Sequence, residues 1–318
     1  MSPPVTVAVV SWNTREPLRR CLRSLRPELE AGRAEVWVVD NASDDGSADL
    51  VAGEFEAVEL IRSPRNLGFG PAVNLVAERT ASPWIAPANA DVELEPGALD
   101  AMLAAGAAHP ECGIVAPRLI APDGSTQHSV HSFPTATLSL ALYSGIARAV
   151  PGLGDRLCLE GHWSADRARR VDWAHGAFLL VRRESFEQAG GFDDRQWMYA
   201  EDLDLAWRLG RAGLPTFYEP RARVRHAGAA ATAQAFGEAR RATYMTASHA
   251  WMVRRRGLWL TWTFAAVNVV GSTARWLLSE AGARLRRSRS RAAAGEWRAY
   301  ARVHRLGLRS RSTLLDGG

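Results

Sequence analysis

Short apolar runs in the first part of the chain alternate with longer segments whose apolar residues recur at helical spacing. Continuous β-branched and apolar residues are typical of strands buried on both faces. The predicted strands are residues 5–10, 35–39, 57–61 and 84–88, and the predicted helices between them are 15–29, 47–54 and 71–80. Strands that alternate with helices form a mostly parallel sheet with helices on both faces. The pattern therefore predicts an α/β fold.

Each of these predicted strands ends in or near a polar cluster. The clusters are residues 11–14, 40–47, 63–68 and 89–91. Right-handed crossovers place the carboxyl ends of parallel strands at one edge of a sheet, where ligands bind. Four polar clusters at one edge indicate a ligand site.

Two of the clusters have other interpretations. Residues 40–47 are also compatible with a plain turn in which Ser43 or Asp44 caps the next helix. The Gly68-x-Gly70 pair is not the dinucleotide fingerprint, because Val73 stands at the third glycine position. This departure counts against a nicotinamide enzyme. Backbone amides around Gly68 are instead expected to approach a ligand closely.

The second part of the chain is less regular. A helix is predicted at 96–108 and a strand at 113–116, whereas 118–170 contains several prolines and only 136–150 has a helical pattern. We therefore expect 118–170 to be an insertion beside the pocket. Regular elements return later: strands at 177–181, 216–219 and 222–225, and helices at 184–189 and 201–212, the last followed by Gly213 as C-cap.

Charge is unevenly distributed along the 318 residues. Residues 281–318 hold ten arginines against Glu296 and Asp316, so this tail carries +8 and the remainder −3 of the net +5. The basic balance therefore does not indicate a nucleic-acid surface across the fold. Three cysteines far apart favour a reducing compartment without a metal knuckle. The first residues lack the pattern of a secretory signal, so we expect a cytosolic catalytic part.

The basic tail follows an uncharged stretch. Residues 257–274 contain no charged side chain and include Trp259 and Trp262. A membrane span needs about 20 largely apolar residues, so this stretch is barely long enough and is interrupted by polar side chains. We favour a helix lying in the plane of the membrane, with arginines on anionic headgroups. A true span and an ordinary packed helix with a solvated basic tail remain alternatives.

A set of motifs occurs in order across residues 5–228. The motifs are VSWN at 10–13, VDNASDDGS at 39–47, RNLGF at 65–69 with Asn74, Asn-Ala-Asp at 89–91, GAFLLVRR at 176–183, GFD at 191–193, EDLDL at 201–205 and VRH at 224–226. This ordered set resembles the inverting family-2 glycosyltransferases, in particular their rhamnosyltransferase-like bacterial branch. The resemblance implies the GT-A fold, a Rossmann-like, mostly parallel sheet with helices on both faces, here with a helical basic C-terminal appendage.

The resemblance also implies a domain organisation. Residues 1–228 would form the catalytic domain, in which 1–117 bind the nucleotide sugar, 118–170 are the insertion and 171–228 form the acceptor half. Residues 229–318 would be a helical region that associates with membranes.

By resemblance, one group of residues binds the donor. This group comprises Ser11, Asn13, Asp40, Asn66, Gly68 and Asn74, with Asn89, Ala90 and Asp91. The last three resemble the DXD motif of the family, with Asp91 as a ligand of Mg²⁺ or Mn²⁺ and His226 completing the metal site. Asn89 departs from the motif, since a neutral amide replaces the first carboxylate and should weaken metal binding.

The resemblance assigns the acceptor side to a second carboxylate. Asp202 matches the catalytic base, and acceptor contacts are expected from Trp173, His175, Gly176 and Glu201. A carboxylate in reach accepts the proton of the attacking hydroxyl, while a hard cation stabilises the charge of the leaving diphosphate. A structural alternative exists for Asp202, because acids at a helix start are stabilised by the helix dipole. A lone histidine such as His226 is likewise often a core residue.

Together these features predict metal-dependent, inverting transfer of a sugar from a nucleotide sugar at the cytoplasmic membrane face. The resemblance favours dTDP-L-rhamnose as donor and a polyprenyl-diphosphate-linked glycan as acceptor, with no nucleic-acid partner. One alternative is a sugar-nucleotide nucleotidyltransferase, which would need a glycine- and basic-rich triphosphate loop that Ser11–Thr14 lacks. Another is a non-catalytic binding or membrane-scaffold protein with a decayed site, which the Asn89 departure leaves open.

Overall fold

A computed structural model describes residues 3–228, 240–284 and 288–316. The chain forms two compact units. Unit 1 comprises Met1–His131 and Ser164–Gly237, and unit 2 comprises Ser132–Trp163 and Glu238–Gly318.

The main sheet lies in unit 1. The strands of unit 1 are β1 (Val5–Ser11), β2 (Ala34–Asp40), β3 (Glu59–Arg62), β4 (Trp84–Asn89), β5 (Val92–Leu94), β6 (Ile114–Ile120), β7 (Val130–His131), β8 (Arg169–Val171), β9 (Trp173–Ala174), β10 (Leu180–Arg182) and β11 (Thr216–His226). Strands β7 and β9 form a separate two-stranded sheet, and the others form the main sheet. The strand order is β3-β2-β1-β4-β10-β6-β11-β5, and β8 also pairs with β11. Strands β3, β2, β1 and β4 are parallel, as are β6 and β11, whereas β10 and β5 run antiparallel to their neighbours. The predicted mostly parallel α/β sheet is confirmed.

The helices are, in chain order, α1 (Arg15–Glu30), α2 (Ser47–Glu54), α3 (Phe69–Ala77), α4 (Ala98–Ala108), α5 (Ala136–Ser144), α6 (Ile146–Ala149), α7 (Leu153–Arg156), α8 (Arg183–Gln188), α9 (Glu201–Arg211), α10 (Arg240–Arg256), α11 (Leu258–Arg284), α12 (Ser288–Arg305) and α13 (Arg311–Asp316), with a 3-10 turn at Leu306–Leu308. Helices α5–α7 and α10–α13 belong to unit 2. In unit 1 the apolar face of α1 packs into the core through Leu18, Cys21, Leu22 and Leu25, each fully buried together with the sheet residues Val7 and Val9.

Most elements agree with the sequence prediction, and the differences have local causes. The two strands predicted at 216–219 and 222–225 are one strand, β11, with an irregularity of pairing between Glu219 and Arg223. The helical pattern at 136–150 is divided at Gly145, whose φ of +78° ends α5. Strand β5 was not predicted, since three residues are too short to show a period.

Unit 2 is helical. Helix α11 packs along α12 and also contacts α5 and α10. Within the described part of the chain, no helix combines the length and apolar character needed to cross a bilayer.

Candidate active site

The ends of β1 and β2 are joined by the polar residues that follow them. The backbone N–H of Asn13 donates to Ser43 Oγ at 2.9 Å, and the N–H of Asp44 donates to Asn13 Oδ1 at 2.9 Å. Asn13 has a φ of 51°, in the left-handed region. Neither Ser43 nor Asp44 caps α2, because its N-cap is Gly46 without a side-chain bond. The cluster at 40–47 is therefore more than a capped turn.

Asp40 presents an unmet acceptor at this edge. Its side chain is almost fully buried; Oδ2 accepts from Ser43 N at 3.0 Å, while Oδ1 has no hydrogen-bond partner within the described chain. Beside it, the fully buried Ser11 shares a hydrogen bond of 3.0 Å with Thr14 Oγ1. A buried carboxylate oxygen without a partner is costly. A donor group of a ligand would satisfy it.

The loop before α3 is held in one conformation. Asn41 donates from Nδ2 to Gly68 O at 3.1 Å, and Gly68 N donates to Asn66 Oδ1 at 2.9 Å. Gly68 has a φ of +87°, and a Cβ there would lie 2.2 Å from the carbonyl oxygen of Trp197. Asn66 and Gly68 thus shape this wall of the site. The bridging role of Asn41 was not predictable from the sequence pattern.

Both polar atoms of the Asn74 side chain form hydrogen bonds within the protein. Its Oδ1 accepts from Phe192 N at 2.9 Å, and its Nδ2 donates to Phe192 O at 2.9 Å and to Asp194 Oδ1 at 3.1 Å. Asn74 therefore ties α3 to the loop that precedes α9. Its direct contact with a donor remains a prediction.

The pairing of β11 with β5 brings Asp91 and His226 together. His226 lies opposite Val92, and Ala227 N donates to Asp91 O at 3.0 Å. As a result His226 Nε2 lies 3.5 Å from Asp91 Oδ1, with both side chains largely buried. Residues separated by more than 130 positions in the sequence thus meet at one point.

Gln127 fixes the orientation of His226. Its Oε1 lies 2.9 Å from His226 Nδ1, and its Nε2 donates to the backbone O of His226 at 2.8 Å. Because Gln127 Oε1 is only an acceptor, Nδ1 carries a proton, and in the neutral imidazole the lone pair is then on Nε2. Buried Nε2 has no hydrogen-bond partner within the described chain. An imidazole nitrogen held in this way next to a carboxylate fits a divalent cation.

Of the other two residues of the predicted metal motif, Asn89 ends β4 and Ala90 begins the turn to β5. Asn89 donates its backbone N–H to Ala177 O at 2.9 Å, and Ala90 is buried. The described residues contain no group of three or more His, Cys, Asp or Glu able to hold a metal ion. Coordination by the Asn89 side chain remains a prediction.

Asp202, the predicted base, is anchored at the start of α9. Its Oδ2 accepts from Gly176 N at 2.8 Å and its Oδ1 from Leu203 N at 2.7 Å. A Cβ on Gly176 would lie 3.2 Å from Asp202 Cβ, so only glycine allows this approach without displacement. Gly176 therefore positions Asp202, while acceptor contact by Gly176 remains a prediction.

Glu201 and Asp202 form a half-buried pair of neighbouring acids. Burial raises the pKa of both carboxyls, and the charge of Asp202 raises the pKa of Glu201 further. The two backbone N–H donors oppose this effect at Asp202, because they stabilise its anion. Glu201 Oε2 has no hydrogen-bond partner among the described residues. Asp202 is therefore the acid that ionises first, with Glu201 still protonated.

A dipeptide connects the two carboxylate sites. Ala177 O accepts the N–H of Asn89, and the preceding residue, Gly176, donates to Asp202. His175 directly precedes Gly176, and its pKa is lowered to about 4, chiefly by burial and further by His226 and His128. The chain at 175–177 therefore links the end of β4, two residues before Asp91, to Asp202, and its His175 is influenced by His226.

The predicted acceptor side contains histidines that sequence reasoning missed. Pairing of β7 with β9 sets His131 opposite Trp173, and their rings stack with centroids 4.5 Å apart. His131 Nε2 also lies 3.0 Å from His175 Nε2. Both His131 and Gln127 fall in the proline-containing stretch that had no clear pattern. The only sequence signal was the density of Gln and His at 127–131.

Comparison with known proteins agrees with this geometry. The family model "Glycosyl transferase family 2" matches residues 6–155, and "Glycosyltransferase like family 2" matches 156–245. The N-acetylglucosaminyl-diphospho-decaprenol L-rhamnosyltransferase of Mycobacterium tuberculosis (strain ATCC 25618 / H37Rv) is 35% identical over 242 residues, covering 71% of this chain and 76% of that protein. The rhamnosyltransferase WbbL of Escherichia coli (strain K12) is 48% identical over 50 residues, 16% of this chain and 19% of that protein.

A solved structure shares the fold. The mannosyltransferase PcManGT from Pyrobaculum calidifontis, in complex with GDP-Man and Mn²⁺, has a TM-score of 0.61 and 19% sequence identity, covering 97% of this chain and 87% of that one. This likeness supports a GT-A architecture. The family models and the relative that is 35% identical over most of its length show that the chain belongs to glycosyltransferase family 2, in its rhamnosyltransferase-like branch.

Proposed function

We propose that the chain catalyses metal-dependent, inverting transfer of a rhamnosyl group from dTDP-L-rhamnose to a polyprenyl-diphosphate-linked glycan. The observation that carries the proposal is the bridge 176–177, which joins Asn89 of the donor edge to Asp202 of the acceptor side. Donor and acceptor carboxylates converge there. Attack on the sugar from the face opposite its leaving group inverts the anomeric centre.

Asp91 and His226 are the residues that would hold a divalent cation, Mg²⁺ or Mn²⁺. Their oxygen and nitrogen face each other, and the remaining ligands would come from the donor diphosphate, water and Asn89. Such a cation stabilises the negative charge on a leaving diphosphate. The nucleotide would lie at the edge formed by Ser11, Asn13, Asp40 and the loop of Asn66 and Gly68. There a hydrogen-bond donor of the nucleotide would satisfy Asp40 Oδ1, which has no partner within the described chain.

Asp202 is the proposed general base. It accepts the proton of the acceptor hydroxyl. The two backbone N–H groups that donate to Asp202 fix the orientation of its carboxylate and make it ionise more readily than Glu201. General-base assistance of this kind contributes about 10²–10⁴-fold. Glu201, protonated beside it, can donate a hydrogen bond to the acceptor. Trp173 and His175, stacked near His131, offer an apolar and polar wall for the acceptor glycan.

The donor and acceptor are proposed from the relatives. The protein from M. tuberculosis is named a rhamnosyltransferase acting on N-acetylglucosaminyl-diphospho-decaprenol. A lipid-linked acceptor lies at a membrane, and we propose that the C-terminal region associates with the anionic cytoplasmic face. The ten arginines of residues 281–318 support this.

The donor and the metal are tested together. The full-length chain is mixed with dTDP-L-rhamnose, dTDP-glucose, GDP-mannose or UDP-N-acetylglucosamine, with and without Mn²⁺ or Mg²⁺, and thermal shift and nucleoside diphosphate release are measured. We expect the largest metal-dependent shift and release with dTDP-L-rhamnose. A stronger response to another sugar would overturn the donor assignment, and a metal-independent response would overturn the metal site. Release of pyrophosphate from a nucleoside triphosphate would instead indicate the nucleotidyltransferase alternative.

A further inference from the structure

The exposed large apolar side chains are concentrated in unit 2. Among the described residues they are Leu140, Leu142, Ile146, Val150, Trp197, Trp259, Leu260, Val270, Leu277, Leu278 and Leu308. All but Trp197 belong to unit 2. An apolar surface concentrated in this way marks an interaction site more often than single exposed residues do.

Helix α11 has inverted polarity. Its inward face carries polar side chains beside the buried Phe264 and Ala265: Thr261 and Ser272 are fully buried and Asn268 is 5% exposed. Its outward face is apolar, with Trp259 78% and Val270 69% exposed. The spacing puts 261, 265, 268 and 272 on one side of the helix and 259, 263, 266, 270 and 277 on the other. A water-facing helix has the opposite distribution.

Two of the inward polar side chains, Asn268 and Ser272, hydrogen-bond to the neighbouring helix α5, whereas Thr261 donates to Gly257 O at 2.9 Å. Asn268 Nδ2 donates to Ser139 Oγ at 2.8 Å, and Tyr143 OH shares a hydrogen bond of 2.8 Å with Ser272 Oγ. The ring of Tyr143 packs so closely on Gly271 that a Cβ there would lie 2.3 Å away. Small residues and interhelical hydrogen bonds at a contact, with aliphatic side chains outside, are typical of helix pairs in lipid.

The segment around α5 repeats this inversion. Ser139 is buried, whereas Leu140, Leu142, Ile146 and Val150 are each more than two-fifths exposed. Two segments far apart in the sequence thus hydrogen-bond to each other and both direct apolar side chains outwards. We call the outward side chains of α11 and of residues 140–150 the apolar face.

The charge pattern around the apolar face favours a membrane as its partner. Residues 257–274 are uncharged, with Arg254, Arg255 and Arg256 before them and Arg275 after them. Basic residues beside an apolar surface bind anionic headgroups, and tryptophan is enriched at the headgroup level. A second copy of this chain would carry the same arginines, so pairing of two such faces would bring like charges together.

We propose that the apolar face enters the acyl region of one leaflet of an anionic phospholipid bilayer, with α11 lying along the surface. This inference deepens the proposed membrane association by naming the residues that enter the lipid, including residues 140–150. It requires no span, because the inward face of α11 remains on protein.

The first test is a fluorescence measurement on the full-length chain. The natural cysteines at 21, 112 and 158 are buried, so an environment-sensitive dye is attached to Val270→Cys, and to Ala104→Cys on the exposed side of α4 as the matched control. Vesicles containing phosphatidylglycerol should shift the emission at 270 to the blue and increase it, while the dye at 104 does not respond. Equal responses at both positions, or none, would overturn the proposal.

The second test measures affinity. Val270→Glu should weaken sedimentation with these vesicles by at least about tenfold, since burial of one large aliphatic side chain is lost and a charge is introduced. Ala104→Glu adds the same charge elsewhere and should bind as the wild type does. If instead Val270→Glu turns a dimer into a monomer in light scattering while vesicle binding is unchanged, the face is a self-interface and the proposal is wrong.

The two proposals fail separately. Nucleoside diphosphate release from the donor, measured in solution with water or a soluble hydroxyl acceptor, does not need a membrane. Val270→Glu should retain this release. If the wild type releases no nucleoside diphosphate, the proposed reaction is contradicted, while the proposed insertion of the apolar face into lipid is unaffected.

Discussion

At the scale of single residues, the candidate site includes three buried polar atoms without a hydrogen-bond partner, and others occur elsewhere in the described chain. Asp40 Oδ1, Glu201 Oε2 and His226 Nε2 have no hydrogen-bond partner within the described chain. Such atoms are rare in folded proteins, because each costs free energy unless a ligand or ion satisfies it. All three lie at the edge where donor and acceptor would meet.

Backbone strain marks the same place. Five non-glycine residues of the described chain have positive φ: Asn13, Ala42, Cys158, Tyr199 and Ala200. Four of these five follow β1, follow β2 or precede α9, beside the candidate site. A non-glycine residue in the left-handed backbone region costs about 1–3 kcal/mol of stability, and such residues cluster at functional sites. The fold thus keeps these conformations at some cost in stability.

Gln127 gives the first prediction. Gln127→Ala should weaken Mn²⁺ binding by about 10–100-fold, because the imidazole of His226 loses the partner that fixes its tautomer and its direction. Calorimetry with Mn²⁺ in the presence of dTDP measures the effect. Nitrogen NMR shifts of His226 report the tautomer without any assay of activity.

Gln127→Glu is the matched control. A carboxylate still accepts from His226 Nδ1, so the tautomer and most of the metal affinity should be retained. Equal losses in the two variants would mean that Gln127 has only a packing role.

The acid pair gives the second prediction. Asp202 must be ionised to accept a proton, and burial raises its pKa, so kcat/KM should fall as the pH drops through a value above that of an ordinary aspartate, about 3.9. The pH profile of nucleoside diphosphate release measures this. Thermal midpoints at each pH serve as the control for unfolding. An acid limb at the ordinary carboxyl value would contradict the raised pKa of Asp202.

At the scale of elements, the site depends on how loops approach each other. Gly68→Ala should destabilise the chain by at least about 1–3 kcal/mol, because its positive φ is strained for alanine and the new Cβ meets the backbone of Trp197. Denaturant unfolding and dTDP binding should both weaken. Gly53→Ala, in open space on α2, should instead be neutral or stabilising by about 0.5–1 kcal/mol. Unchanged stability in Gly68→Ala would show that the two loops are not held together as described.

Elements with a strong period could be predicted from the sequence. The buried runs of β1, β2 and β4 and the amphipathic α1 were assigned correctly, because burial imposes a pattern on consecutive residues. The parallel order then located Asp40 and Asp91 at one edge. Asp202 and His226 were found only through the resemblance, since a helix start and a strand end do not themselves indicate chemistry.

The rest depended on contacts between distant residues. Gln127 and His131 lie in a stretch without a period, and their roles arise from pairing with His226 and from the pairing of β7 with β9. The inverted polarity of α11 was also not visible, since a helical wheel shows two faces without telling which one is buried. The role of such residues can be assigned only when the strand register or the orientation of the helix is known.

At the scale of the whole molecule, the two units differ in the side chains that they bury. Unit 1 has an apolar core beneath its sheet, and unit 2 buries apolar side chains such as Trp251 together with two histidines, His249 and His304. Neither ring nitrogen of His249 has a hydrogen-bond partner in the described chain. A Cβ on Gly307 would lie 2.7 Å from the His249 ring, which shows how closely it is packed.

Unit 2 should therefore be sensitive to acid. Burial lowers the pKa of His249 to about 4 and that of His304 to about 3, from 6.5. The unfolded chain then binds more protons in this window, so stability is full above about pH 6.5 and falls as the pH drops through it. Between about pH 7 and about pH 5 the loss from His249 alone should be on the order of 2 kcal/mol.

The pH dependence of the thermal midpoint measures this loss. His249→Gln should reduce the slope of midpoint against pH, even if it lowers stability at neutral pH. The wild-type slope in His249→Gln would contradict the role of the buried imidazole.

We propose that Asp202 deprotonates the acceptor while Asp91 and His226 serve the donor, and a paired measurement on Asp202→Asn separates these two roles. Transfer from dTDP-L-rhamnose and affinity for dTDP with Mn²⁺ are measured on the same preparation. We expect transfer to fall by about 10²–10⁴-fold while donor affinity stays within a few-fold of wild type. Loss of donor affinity in Asp202→Asn, or transfer at the wild-type rate, would contradict this proposal.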